Sequence, residues 1–290
     1  MKKGIALLIT ILMLASISLL LIKNFSISEH FIEDHTELKL LSIGNRLFLD
    51  SNVIVKKTLK DINSTEAYDF LFSMPFVFHQ NSFKLTFTFS PIENRININN
   101  LLKNNQKQEE YASMIEKILI SYNVQDPNYF IDLILDTLDN DTVERSYNSE
   151  IILKNRFFTN TEIKSMDHFD AMVDYYAQAK DDKNIYLIHW NKFIVFSGSG
   201  IDINFASIEL LRLLMDNPYL DKTFKNKYYE DYDELGLDEV KIAYLKKLNV
   251  MFSTTLFHVK VTFDDVIQNI SFEYDYDKKN DTTRHLKYSF

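Results

Sequence analysis

The 290-residue sequence contains no cysteine. This absence excludes a disulfide framework, a thiolate metal site and a lipidated amino-terminal cysteine. Basic residues are also scarce, with 32 Lys and Arg against 41 Asp and Glu and a net charge of −9. Phosphate backbones repel a chain of this charge, so nucleic acid is a poor partner.

The usual sequence patterns of enzymes are missing as well. There is no Gly-x-Ser-x-Gly motif and no phosphate-binding loop. Among the seven histidines only His30 and His35 lie close together, and they are five residues apart, which is not the spacing of a helical metal-binding pair. We therefore expect a protein that is not an enzyme and that requires no cofactor.

A long apolar run stands at the amino terminus. Lys2, Lys3 and Gly4 precede residues 5–22, which carry no charge. As a helix this run is roughly 27 Å long, close to the thickness of the bilayer core, so the sequence predicts a transmembrane helix over 5–22. A cleaved secretory signal usually has a shorter apolar region and a small-x-small site, whereas a signal anchor places the remaining chain outside the cytoplasm.

The apolar pattern continues beyond the run. Apolar residues recur at helical spacing, separated by sevens, threes and fours, at Phe31, Leu38, Leu41, Phe48, Val55 and Leu59. The pattern predicts one helix from residue 5 to about residue 61, on the order of 85 Å long. Such a helix would lie half in lipid and half on a soluble domain.

Two blocks of predicted strands flank a long helical segment. Residues 76–79 and 83–89 read as a hairpin, and alternating residues at 256–263, 267–276 and 286–290 read as further strands. Between them the patterns predict helices over residues 108–122, 126–138, 159–166, 167–179, 206–215 and 237–248, with Pro127 in a first turn and a Thr159/Glu162 capping box.

These elements predict an α+β fold. A pilin-like long N-terminal helix packs on an antiparallel sheet, and a large all-α domain is inserted between strands. The expected divisions are a leader at 1–4, a transmembrane helix at 5–22, a helical stem with the first strands at 23–91, the inserted domain at 92–249 and the last strands at 250–290.

Two short stretches of the inserted domain repeat one pattern. Residues 95–102 read Arg-Ile-Asn-Ile-Asn-Asn-Leu-Leu, and residues 200–211 read Gly-Ile-Asp-Ile-Asn-Phe-Ala-Ser-Ile-Glu-Leu-Leu. Each has an Ile-Asn/Asp-Ile-Asn segment before a Leu-Leu pair. The pattern predicts that Asn97, Asn99 and Asn204 cap the helices that follow them.

Taken in order, these stretches resemble the family of general secretion pathway protein K, the minor pseudopilin of type II secretion. Residues 95–99, 155–163 and 201–207 match its motifs, with Asp202, Phe205, Phe157 and Ile163 as departures. The basic leader ending in Gly4 is similar to the class III signal of type IV pilins. Most such proteins have Glu at the fifth mature position, where this chain has Ile9.

The resemblance implies the following expectations. A prepilin peptidase cuts between Gly4 and Ile5, and Ile5 becomes N-methylated. The chain sits in the inner membrane by a single pass, with its C-terminal domain in the periplasm, until it joins the tip of the pseudopilus. There it nucleates or caps the fibre that drives export of folded proteins, together with minor pseudopilins I and J and other pseudopilins. Ile9 cannot pair with the amino terminus of another subunit, which favours the first place in the fibre.

The resemblance also implies an acidic site. Asp136, Asp139 and Asp141 match an Asp-x-x-Asp-x-Asp stretch of the family, and Glu150 is the later acid. Calcium takes six to eight oxygen ligands, which clustered carboxylates, carbonyls and water can supply. These four residues are therefore predicted to form a calcium site, and the alternative is a solvated acidic helix end.

One alternative remains open. A minor pilin of a type IV or competence pilus could contact DNA with a helix-hairpin-helix-like module. Residues 197–200, Ser-Gly-Ser-Gly, are the candidate hairpin, although their surroundings are not basic.

Overall fold

The computed structural model describes residues 40–60, 62, 64–80, 83–264 and 269–289. Within them the helices are α1 (40–60), α2 (Thr65–Ser73), α3 (Glu109–Ser121), α4 (Pro127–Leu138), α5 (Met166–Lys180), α6 (Ile208–Leu214) and α7 (Glu239–Lys247). The strands are β1 (Phe76–Gln80), β2 (Phe83–Pro91), β3 (Ile96–Asn97), β4 (Leu102–Lys103), β5 (Gln106–Lys107), β6 (Ile194–Val195), β7 (Ile201–Asp202), β8 (Val250–Met251), β9 (Leu256–Asp264), β10 (Asn269–Asp277) and β11 (Thr282–Ser289).

The main sheet has five strands in the order β1-β2-β9-β10-β11, and all neighbours are antiparallel. Strands β2 and β9 are adjacent although the chain between them holds all the helices from α3 to α7. The insertion is therefore a single long connection between two neighbouring strands. This arrangement confirms the predicted α+β fold with a domain inserted between strands.

Helix α1 packs on one face of the main sheet because its apolar residues recur every three to four positions. Val55 and Leu59 are fully buried, and the ring of Phe48 meets that of Tyr274 edge-on at 5.2 Å. The strands supply the other half of this core by alternation, since Phe272, Tyr274 and Tyr276 on β10 are buried.

No helix within the described residues is long and apolar enough to cross a membrane. The predicted transmembrane helix over 5–22 and the first part of the predicted stem lie outside the described residues. The described part of the stem agrees with the prediction in ending near residue 61, since α1 runs to residue 60.

The insertion has a separate and larger core, in which the rings of Phe130, Phe169 and Trp190 lie 5.0 to 5.9 Å apart. Trp190 is 4% exposed, as expected for a core residue. Helix α4 begins as predicted, with Pro127 in its first turn and the Asp126 side chain accepting from the Tyr129 backbone N–H. The insertion is not purely helical, because β3–β6, β4–β5 and β7–β8 form three small pairs.

Two local predictions fail. Residues 159–165 are not helical and make no capping box, because the Ile163 backbone N–H donates instead to Asn99 of a distant segment. Ser165 is the residue that caps α5, by accepting from the His168 backbone N–H. In addition, helix α2 was not expected; its apolar residues also suit a strand, and Ser64 caps it.

The two repeated stretches, residues 96–99 and 201–204, are called the first and second Ile-x-Ile-Asn segments. The first segment caps a helix locally and also binds a distant loop. Asn97 accepts from the Asn99 backbone N–H and caps a short 3-10 helix, as predicted. The Asn99 side chain does not cap that helix. Its Oδ1 accepts from Ile163 N at 2.9 Å, and its Nδ2 donates to the carbonyls of Ile163 and Phe196.

The second segment repeats this arrangement. Asp202 accepts from the Asn204 backbone N–H at 2.9 Å. The Asn204 side chain accepts from Tyr229 N and donates to the carbonyls of Tyr229 and Phe252. Helix α6 is capped by Ser207 instead. The capping prediction is therefore wrong for Asn99 and Asn204. Their side chains instead donate to and accept from backbone groups of remote residues, as a neighbouring β-strand does.

Glu93 ties the ends of the insertion to the sheet. This carboxylate is 2% exposed; its Oε1 accepts from the backbone and hydroxyl of Ser199, and its Oε2 accepts from the backbone N–H groups of Thr255 and Leu256. The loop at 197–200 is thus bound to a buried anion. A phosphate would be repelled there, which weighs against the alternative of a DNA-contacting hairpin.

Candidate metal centre

The four predicted acidic residues lie around the carboxyl end of α4. Asp136 is in the last turn of that helix, Asp139 is its C-cap residue and Asp141 follows in the loop. Glu150 arrives from the other side of the loop, directly before a 3-10 turn. Asp136, Asp139 and Glu150 are at most 4% exposed, whereas Asp141 is exposed.

Asp136 is already bound by its neighbours. The Arg145 guanidinium pairs with both Asp136 and Asp139, and the Arg145 backbone N–H donates to Asp136 Oδ2 at 3.1 Å. The Ser149 hydroxyl donates to the same oxygen. Asp136 therefore anchors the loop, and its two oxygens are less available to a metal ion than the other carboxylates.

The remaining three acids converge. One oxygen each from Asp139, Asp141 and Glu150 lies within 4.8 Å of the other two. Asn160 joins them from the loop, since its Nδ2 donates to Glu150 Oε2 at 2.9 Å and to the Asp141 carbonyl at 3.2 Å. Buried oxygens without a hydrogen-bond donor remain on Asp139, Glu150 and Asn160.

The electrostatics of this group favour a cation. Burial raises the pKa of Asp139 and of Glu150, and the neighbouring carboxylates raise both further. The Arg145 guanidinium opposes this shift at Asp139. A buried carboxylate oxygen without a partner is costly, and a divalent cation would compensate both the charge and the missing donor. All the candidate ligands are oxygens, which suits a hard cation such as calcium.

The structure thus brings together three of the four predicted metal ligands and places the fourth, Asp136, beside them in an ion pair with Arg145. The roles of Arg145 and Asn160 were not predicted from the sequence. Neither lies at a ligand spacing from the acids, because the long irregular loop folds back on itself, so no pattern in the sequence marked them.

The residues predicted for processing and assembly, Gly4, Ile5 and Ile9, lie outside the described residues. Their predicted roles stay predictions.

A helix laid on an antiparallel sheet, with a mainly helical domain inserted between two adjacent strands, defines the class as a pilin-like fold with a large insertion. No protein-family model and no curated protein matches the sequence. Among solved structures, the chain is similar to a chain of the crystal structure of the GspK-GspI-GspJ complex from the enterotoxigenic Escherichia coli Type 2 Secretion System.

This similarity has a TM-score of 0.65 and covers 89% of this chain and 98% of that chain, at 11% sequence identity. At that identity the comparison shows a shared fold. It agrees with the resemblance that the order of the sequence motifs suggests.

Proposed function

We propose that the chain is a minor pseudopilin of a type II secretion system, with a structural role and no enzymatic one. The observation that carries the proposal is the fold, because the inserted domain between β2 and β9 accompanies the pilin-like helix and sheet along nearly the whole of the similar chain. The proposed partners are minor pseudopilins I and J, with other pseudopilins and a prepilin peptidase.

The proposed position is the tip of the pseudopilus, where the chain nucleates or caps the fibre. Two features support this position. The insertion has a larger core than the sheet, and a domain of that bulk is hard to place inside a stacked fibre. In the sequence, Ile9 replaces the carboxylate that would pair with a neighbouring amino terminus.

Helix α1 supports assembly through its outer face. Leu49, Val53 and Ile54 are 62%, 67% and 42% exposed, opposite the side that packs on the sheet. Leu49 and Val53 are four residues apart, so they lie on one stripe of the helix. The outer face thus presents apolar side chains beside the exposed charged residues Arg46, Asp50 and Lys57, and we propose that these apolar side chains contact the helix of a neighbouring subunit.

Co-expression with prepilin peptidase and minor pseudopilins I and J tests the proposal. We expect a mature chain that begins at Ile5 and co-purifies with both partners. Leu49→Glu combined with Val53→Glu is expected to abolish co-purification, whereas Asp50→Asn on the same helix retains it. Retention of Met1, cleavage after residue 22, or a partner interaction unaffected by the double substitution would contradict the proposal.

We propose in addition that Asp139, Asp141, Glu150 and Asn160 hold a calcium ion. Bound calcium would tie both ends of the loop to α4, so millimolar calcium is expected to raise the melting temperature and magnesium is not, because magnesium demands a tighter octahedral shell. Glu150→Gln should remove the calcium response, and Asp167→Asn, outside the cluster, should keep it. An unchanged melting temperature in calcium would rule the site out.

A further inference from the structure

An open cavity of about 500 Å³ lies between α4, α5 and the loop at 146–154. Its size is within the range of small-molecule sites, about 300–1,000 Å³. Seven of the eight residues that line it are polar or aromatic, and Tyr129, Tyr147, Asn148, Lys154, Tyr175 and Gln178 are among them. The cavity is separate from the metal centre, although Asn148 is only two residues from Glu150.

The wall of this cavity is held in place by two tyrosine hydroxyls. Tyr129 and Tyr175 both donate to the Asn148 carbonyl, at 2.7 and 3.0 Å. Burial raises the pKa of both hydroxyls, so both stay protonated donors at neutral pH. Asn148 has φ +62°, a left-handed conformation that Asn tolerates better than most residues. The shape of the cavity is therefore set before any ligand arrives.

Four groups around this wall are free to meet a ligand. Tyr147 is 86% exposed, so its ring is accessible to a ligand. The side-chain amides of Asn148 and Gln178 and the ammonium group of Lys154 make no hydrogen bond or ion pair within the part of the chain that the structure describes. Together they offer a flat aromatic face beside neutral and charged hydrogen-bonding groups.

The charges near the cavity balance. Lys180 pairs with Asp126 at 2.8 Å, and its Nζ lies 3.9 Å from the centre of the Tyr129 ring. Glu144 is close enough to raise the pKa of Tyr129. Among Lys154, Lys180, Asp126 and Glu144 neither sign of charge is in excess, so these four groups do not favour a strongly charged ligand.

The lining also selects against an apolar ligand. Among the residues that the structure describes, Ala179 is the one aliphatic side chain that lines the cavity. A lipid chain or an apolar helix would desolvate the amides without pairing them, which costs free energy.

We propose that this cavity binds a short neutral oligosaccharide. The C–H face of a sugar ring would pack on the Tyr147 ring, and its hydroxyls would exchange hydrogen bonds with Asn148, Gln178 and Lys154. A sugar combines an apolar face with a rim of uncharged donors and acceptors, which is the chemistry that the four free groups match.

Titration calorimetry on the full chain tests this assignment, in a detergent without a sugar headgroup. The probes are cellotriose, chitotriose and maltotriose, and at least one is expected to bind saturably in the millimolar range or tighter. Tyr147→Ala should weaken that binding about tenfold or more, and Gln178→Ala several-fold. Phe157→Ala is the matched control, because Phe157 is 82% exposed shortly after this loop but does not line the cavity.

Three results would overturn the proposal. None of the three probes binds at tens of millimolar; Phe157→Ala weakens binding as much as Tyr147→Ala; or an acidic hexapeptide binds more tightly than every sugar and competes for the same site. Circular dichroism establishes that each variant is folded. If Tyr147→Ala does not fold, Gln178→Ala decides the test.

Discussion

The two Ile-x-Ile-Asn segments of the insertion have nearly the same hydrogen-bonding frame. Ile96 pairs with Ile194 and Ile201 with Val250, each in a short parallel strand pair. In both segments the last Asn makes the same three side-chain hydrogen bonds. Asn99 binds the backbone N–H and carbonyl of Ile163 and the carbonyl of Phe196, which directly follows β6. Asn204 binds the backbone N–H and carbonyl of Tyr229 and the carbonyl of Phe252, which directly follows β8. The insertion thus uses one structural device twice.

The segments differ at two positions, and the difference shows what the frame requires. Where the first has Asn97, whose Nδ2 donates to the Gly198 carbonyl at 2.8 Å, the second has Asp202, with a buried Oδ2 that lacks a donor. The first segment is preceded by Arg95 and the second by Gly200, which lies against the backbone of Asn249. The terminal Asn makes the same hydrogen bonds in both segments, so the shared frame depends on that residue, whereas the second position accepts either Asn or Asp.

The largest effect is expected at Gly200. A Cβ there would overlap the Asn249 carbonyl oxygen and lie 3.1 Å from Met251 Sδ, so Gly200→Ala must push two backbone segments apart. We expect a loss of about 3 kcal/mol or more in the free energy of unfolding, measured by denaturant titration.

Gly236→Ala is the control for this substitution. A Cβ added at Gly236 would meet open space, and the φ there is +65°. The substitution should therefore lower the free energy of unfolding by only about 1 kcal/mol. Equal losses at the two glycines would mean that Gly200 is not needed for close approach.

The terminal Asn residues come next. Asn204→Ala leaves backbone groups of Tyr229 and Phe252 without partners, and we expect a loss of about 3 kcal/mol. Asn99→Ala breaks the matching three bonds, but Asn99 is only half-buried, so its loss should be nearer 2 kcal/mol. Chemical denaturation of both variants checks the order, and a loss below about 1 kcal/mol at either site would contradict the shared frame.

The contrast between Asn97 and Asp202 predicts a dependence on pH. Burial, and to a lesser degree Glu93, raises the pKa of Asp202 to about 7. Unfolded, the same carboxyl has a pKa of about 3.9, so between these values the folded state retains a proton that the unfolded state has released. Stability from this group is therefore lost as the pH rises, by about 2–3 kcal/mol from pH 5 to pH 8.

Asp202→Asn should remove this loss, and Asn97→Asp should introduce a similar one in the first segment. Unfolding free energies at pH 5 and pH 8 measure both. If the wild-type chain and Asp202→Asn lose stability in parallel over this range, Asp202 is not the responsible group.

The smallest effect is expected at Arg95, the counterpart of Gly200. Its guanidinium donates to the Asn191 carbonyl at 3.0 Å and to the Asn94 side chain at 3.1 Å. Arg95→Ala should cost about 1 kcal/mol in the same denaturation assay, because one exposed and one local hydrogen bond are lost. Arg156→Ala, at an exposed loop position, is expected to be neutral.

Local patterns predicted much of this fold. Period-two alternation identified β2, β9 and β10, and the caps and helical periodicity identified α4 and α5. The helix predicted at 159–166 had suitable end residues too, but it does not form. The Ile163 backbone N–H donates to Asn99, and the Asn160 side chain donates to Glu150. Such contacts compete with local propensity and leave no periodic trace in the sequence.

The sequence by itself determined the α+β class, the position of the insertion and the repeated Ile-x-Ile-Asn segments, because each follows from periodicity and composition over neighbouring residues. It also pointed to Asp139, Asp141 and Glu150, through a resemblance of motifs. Only the tertiary structure decided that Asp136 pairs with Arg145, that Asn160 joins the acids, and that the two terminal Asn residues hold remote loops. These contacts join residues that lie 9 to 97 positions apart in the chain, and they are set by the packing of the whole core rather than by any local pattern.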